Sequence, residues 1–106
     1  AEMVAMARVL GGKASTGYGL AGLGDLIATS SSPKSRNRTL GEHLGRGHKV
    51  AEITRGMVSV TEGVDAALCA HELAVKHKLR IPVAEMIHRI LEGDEKADHL
   101  VKVCLP

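Results

Sequence analysis

The chain has 106 residues, of which 44% are hydrophobic and 1% aromatic, and its formal net charge at pH 7 is +2. That length suits one domain with a real core but is short for an enzyme that must also bind a nucleotide. Tyr18 is the lone aromatic residue, so the core has to be aliphatic, base stacking has almost no material, and a charge so near neutrality excludes a general polyanion-binding role.

Residues 1–10 (AEMVAMARVL) carry only Glu2 and Arg8 as charges, which predicts a helix buried against more than one neighbour. Gly11 and Gly12 end it, and residues 14–18 read as a loop. The glycine-rich stretch that follows leads into a short helix over residues 25–29. Residues 30–33 form a turn, because proline biases the residue before it away from helix. Ser35 then caps a helix running to Leu44, with Leu40 and Leu44 on one face, and Gly45-Arg46-Gly47 stops it. A helical turn over residues 50–55 ends at Gly56, and residues 57–60 read as a connector. From Thr61 to about Lys78 the pattern is helical, and residues 66–70 are apolar all round, which predicts a central helix. Pro82 suits the first turn of the next helix, whose Val83, Met86, Ile87, Ile90 and Leu91 recur at spacings of three and four before Gly93 stops it. A last helix is expected over residues 95–105. The fold class is all-α, a bundle of five to seven helices in a single domain spanning residues 1–106.

Cys69 and Cys104 fall in apolar helical patterns and are expected as buried, reduced thiols, which points to a reducing compartment. No run of about eighteen apolar residues and no signal-peptide pattern is present, so the expected location is the cytoplasm, away from membranes. A chain that starts without methionine inside an apolar helix pattern reads as a trimmed domain.

The chemistry concentrates between Gly19 and Arg38, GLAGLGDLIATSSSPKSRNR. Lys34, Arg36 and Arg38 lie within five positions, beside hydroxyls and the amide of Asn37, with no acidic residue between Asp25 and Glu42. Ser35 at a helix start would offer unpaired N–H groups and a positive dipole end to a phosphate or carboxylate, and Arg36 a two-pronged planar donor. A solvated basic loop is the competing reading. Asp25, framed by Leu23, Gly24, Leu26 and Ile27, is either a helix cap or a carboxylate facing a cleft. Glu62 in Val60-Thr61-Glu62-Gly63 is a first-turn acid favoured by the helix dipole or a site residue. Residues 17–22 (GYGLAG) satisfy the letter of the GxGxxG dinucleotide fingerprint, but the buried strand that motif requires is missing, so tight turns or close helix packing explain the glycines better. His71-Glu72 starts like a zinc-protease helix, yet Val75 stands where the second histidine should be, and no metal site is expected.

The order and spacing of GLAGLGDLIATSSSPKSRNR, LGEHLGRG and VTEGV resemble the C-terminal, substrate-binding domain of bacterial-type NAD(P)-dependent sn-glycerol-3-phosphate dehydrogenases. The resemblance spans nearly the whole chain and is densest from Gly19 to Gly47. It implies the helical domain of a two-domain enzyme of the 6-phosphogluconate-dehydrogenase type. The implied reaction is reduction of dihydroxyacetone phosphate to sn-glycerol 3-phosphate by NADH or NADPH, a precursor step for glycerophospholipids. It further implies that Asp25, Ser35, Arg36 and Asn37 bind substrate and that Arg36, Val60 and Glu62 touch the cofactor. The proton-transferring lysine and the nucleotide-binding glycines of that family lie upstream, so no catalytic residue is expected here and the isolated chain is expected to be inactive. The implied partners are a small phosphorylated substrate and the protein's own N-terminal Rossmann domain, with neither nucleic acid nor membrane, and a homodimer is compatible. Two alternatives stand beside this reading: the helical domain of a related NAD(P)-dependent hydroxy-acid dehydrogenase, and a small nucleic-acid-binding helical module using Lys34 to Arg38.

Overall fold

Residues 1–56 and 61–105 are described by the computed structural model, and every regular element among them is helical. In chain order these are α1 (Glu2–Val9), α2 (Ala14–Tyr18), a π-helical turn (Leu20–Gly24), α3 (Asp25–Ser31), α4 (Arg36–Gly45), α5 (Val50–Thr54), α6 (Thr61–His77), α7 (Pro82–Glu92) and α8 (His99–Cys104). The all-α expectation holds, with eight α-helices among the described residues rather than five to seven.

The extra element is α2, where a loop was expected. Ala-Ser-Thr-Gly-Tyr has little intrinsic drive to coil, and the turn forms because Gly17 lets α2 settle onto α1: a Cβ there would stand 2.7 Å from Val4 Cγ2. Gly22 repeats the device on the next turn, since a Cβ on it would run into the Gly17 carbonyl. The glycines that mimicked a dinucleotide fingerprint therefore serve helix packing. Two other boundaries shift. α3 runs on to Ser31, with Ser30 Oγ donating to the Ile27 carbonyl at 3.3 Å. α8 starts at His99 rather than Glu95, whose carboxylate is engaged by Arg89 at 3.2 Å and by His99.

α6 and α7 form a helical hairpin. Lys78 at φ 52 ends α6, and the Leu79 N–H reaches back to the Ala74 carbonyl at 3.0 Å. Ile81, 1% exposed, plugs the junction. Pro82 opens α7 without an N–H to satisfy, and Gly93 closes it in the left-handed conformation at φ 85. α1 is locked to this hairpin through its first residue: the two Glu2 carboxylate oxygens accept the Val83 and Ala84 N–H groups at 2.8 and 2.9 Å. One side chain caps α7 from 81 residues away in sequence.

The buried core is thin and aliphatic: Val4, Leu40, Ile53, Ala74, Ile81 and Ile90. Leu40 and Ile53 pack with Leu44, Val64 and Leu91, which fastens α4 and α5 to α6 and α7. The expectation of a central helix fails for α6. Leu68 and Val75 are exposed on it, as is Cys69, because α1 and α7 cover only part of its circumference. Cys104 on α8 is exposed too, so neither thiol is buried as expected and burial gives no support to a reducing compartment. α2, the π turn and α3 carry a run of exposed apolar side chains, with Leu20 90% exposed and Tyr18, Leu23, Leu26 and Ile27 exposed as well. Among the described residues no helix is long and apolar enough to cross a membrane.

Candidate functional site

Ser35 caps α4 as its position demands, its Oγ accepting the Arg38 N–H at 3.3 Å. This fixes Arg36 and Asn37 on the first turn of a ten-residue helix, where backbone N–H groups point outward and the dipole is positive. The first turn of α6 lies against this start. Arg36 Nη2 stands 3.6 Å from Glu62 Oε2, with the two side chains 55% and 80% exposed. A Cβ on Gly63 would stand 3.2 Å from Asn37 Cγ and closer still to its Oδ1. Ser35, Arg36, Asn37, Glu62 and Gly63 thus form one surface built from two helix N-termini.

Arg36 and Arg38 have different partners. Arg38 turns away from Arg36: its Nε donates to Glu42 Oε1 at 3.0 Å and its Nη1 to the Ser31 carbonyl at 3.0 Å, tying the end of α3 to α4. Lys34 is exposed, and its backbone N–H is bonded to Ser32 Oγ at 3.3 Å in the intervening turn. Of the three cations expected together, Arg36 stands at the site, Arg38 ties α3 to α4, and Lys34 is exposed. The fates of Arg36 and Arg38 depend on Glu62 and Glu42, and only Glu42 is close enough in sequence to be read from helix spacing.

Asp25 opens α3 and is exposed, and α3 has no side-chain cap at its start. Among the described residues no hydrogen bond or ion pair joins it directly to Ser35, Arg36 or Asn37. It opens the helix α3, whose far end Arg38 holds. Val60 lies outside the described residues. Among the described residues a cleft of about 940 Å³ is walled by Arg46, His48, Lys49, Ile90 and Lys96, and contains none of the expected site residues. At the site itself the Arg36 and Glu62 side chains are largely exposed.

Among the described residues no group of three or more His, Cys, Asp or Glu side chains is arranged to hold a metal ion. Two groups of histidine contacts lie elsewhere. His71 Nδ1 is 2.9 Å from Glu85 Oε2 and its ring stacks on His88, while His43 stacks on His48. The hydrogen bond from His99 holds the Glu95 carboxyl below the usual carboxylate range, with a smaller contribution from Arg89.

The family of the NAD-dependent glycerol-3-phosphate dehydrogenase C-terminus matches residues 1–102. The chain belongs to this family. It is 43% identical over 105 residues to a glycerol-3-phosphate dehydrogenase (NAD(P)+) of Parvibaculum lavamentivorans, a match that takes in 99% of this chain and 32% of that protein. The enzyme of the same name from Maricaulis maris is also 43% identical, over the same shares. The crystal structure of glycerol-3-phosphate dehydrogenase from Coxiella burnetii superposes with a TM-score of 0.89 at 38% identity, covering 98% of this chain and 32% of that one. The chain thus spans about a third of the length of these relatives, and within the family it corresponds to the C-terminal helical domain.

Proposed function

We propose that this C-terminal domain forms the substrate side of an NAD(P)-dependent dehydrogenase that interconverts dihydroxyacetone phosphate and sn-glycerol 3-phosphate. The observation that carries the reading is the meeting of the α4 and α6 starts, which presents Arg36 and Asn37 together with outward N–H groups on one exposed surface. Such a surface suits a phosphate: the dipole and amides favour the anion, and a guanidinium supplies paired donors. Anchoring a remote phosphate lets binding energy orient the carbonyl carbon for reduction.

Ser35, Arg36 and Asn37 would hold the phosphorylated substrate, and Asp25 would meet its hydroxyl end from the start of α3. The residues present also fit a dinucleotide. Arg36 and Glu62 offer a cation and an acceptor side by side, suited to its phosphate and its amide or hydroxyl groups, and Val60 is assigned to the same contact. When bound, the nicotinamide supplies the hydride. This chain's residues bind and orient, while the proton-transferring lysine and most of the dinucleotide contacts belong to a nucleotide-binding domain outside residues 1–106. Pockets of this kind form between domains, which accounts for an open surface here, and the exposed apolar edge from Tyr18 to Ile27 is assigned to that contact. A homodimer competes for the same edge. The partners on this reading are a small phosphorylated molecule and the protein's own second domain rather than nucleic acid, the compartment is the cytoplasm, and the product feeds glycerophospholipid synthesis.

Titration of the full-length protein with sn-glycerol 3-phosphate and with glycerol tests this. Arg36→Ala should weaken the phosphorylated ligand by at least about tenfold, the loss expected when a charged hydrogen-bond partner is removed. Equal affinity of wild type and variant, or equal affinity for glycerol, would remove this surface from substrate binding.

A further inference from the structure

We infer that Gly63 is a positioning residue for the substrate, acting by leaving the space that the Asn37 amide occupies; the inference rests on the proposed dehydrogenase reading. Gly63 lies in the first turn of α6 and its φ is not in the left-handed region, so backbone conformation does not demand glycine. In a helix that choice is unfavourable relative to alanine. Space explains it. A Cβ at this position would collide with Asn37 Oδ1 and stand 3.2 Å from Cγ, well inside ordinary contact. Among the described residues no hydrogen bond fixes the Asn37 amide, so its place is set by the bare helix wall behind it.

The other helical glycines nearby differ. Gly41 and Gly45 on α4 have nothing within 4 Å of an added Cβ. The atoms met at Gly63 are the end of a side chain and can swing away, so alanine should leave the helix intact while displacing the amide. At Gly22, by contrast, the obstacle is backbone. Gly63 therefore offers a separation of folding from function: a substitution favourable to its own helix that misplaces a neighbour assigned to substrate.

The test uses the full-length protein with Gly63→Ala, Asn37→Ala, the double variant, and Gly41→Ala as a control, reading Tm and steady-state constants for both substrates. Gly63→Ala is expected to keep or raise Tm and to raise KM for dihydroxyacetone phosphate about tenfold, with KM for the nicotinamide cofactor unchanged. The double variant should match Asn37→Ala, because without the amide the added methyl has nothing to displace. Gly41→Ala should raise Tm without altering either KM. An unchanged KM in Gly63→Ala, additive effects in the double variant, or a drop in Tm that Asn37→Ala does not relieve would each overturn the inference while an active wild type left the dehydrogenase reading intact. A wild type that does not turn over dihydroxyacetone phosphate would sink both.

Discussion

Replacing Glu2 should unlock α1 from the α6–α7 hairpin. Its carboxylate accepts the Val83 and Ala84 N–H groups at 2.8 and 2.9 Å, at a helix start where Pro82 supplies no donor. Each is a charge-assisted hydrogen bond, which in favourable settings contributes about 1.5–3 kcal/mol. Both lie in partly buried surroundings that water can still reach once the acid is gone, so the loss for Glu2→Ala should be nearer that of a strong N-cap, about 2 kcal/mol for the pair. Glu2→Gln keeps one acceptor oxygen but loses the charge at the positive end of the dipole, and should cost about 1 kcal/mol. At about 4–8 °C per kcal/mol for a domain of this size, the alanine variant should melt about 10 °C lower and the glutamine variant about half as much lower. Thermal unfolding followed by circular dichroism, with a urea midpoint for each variant, reads this. If both variants melted within about 2 °C of the parent, the cap would contribute nothing and the α1–α7 lock would have to be ascribed to Val4 and its apolar neighbours.

Arg38 should matter through geometry rather than charge: Arg38→Lys can reach Glu42 or the Ser31 carbonyl but not both as the fork does. It should therefore lose most of the roughly 1 kcal/mol lost in Arg38→Ala, read from denaturant midpoints. Gly22→Ala places a methyl against the Gly17 backbone and should cost about 1–3 kcal/mol of overpacking by the same measurement. The Glu95 carboxyl is held below its ordinary range, so the contribution of its contacts with His99 and Arg89 is present above that range and lost as pH falls through the depressed folded value. Midpoints followed downward from about pH 5 should fall more steeply in the parent than in Glu95→Gln; parallel curves would remove the coupling.

The sequence carried the helical elements that have strong local punctuation. Ser35 before α4, Pro82 and Gly93 around α7, and Gly56 after α5 each act within a turn of their own position, and each stands where expected. The misses are tertiary. α2 forms because Gly17 rests on Val4 across a chain reversal, and no local propensity encodes that. Counting apolar residues around α6 could not tell a side covered by α7 from one left open, so Leu68 and Cys69 came out exposed. At the site, Ser35, Arg36 and Asn37 were legible as a capped helix start. The separation of Arg38 from Arg36 and the fit of Asn37 against Gly63 depend on which elements lie alongside α4. The assigned roles of Asp25, Val60 and Glu62 come from family resemblance, and their side-chain chemistry alone would have left each of them open.

The most direct measurement is oxidation of NADH and NADPH by the full-length protein with dihydroxyacetone phosphate as acceptor, unphosphorylated dihydroxyacetone in parallel, and Asp25→Asn alongside the parent. The account predicts oxidation that requires the phosphate and falls by at least about tenfold in kcat/KM in the variant, the scale of one lost charged hydrogen bond. Equal rates on the unphosphorylated acceptor, or no oxidation of either cofactor by the folded protein, would contradict it and bring a different hydroxy-acid substrate to the front.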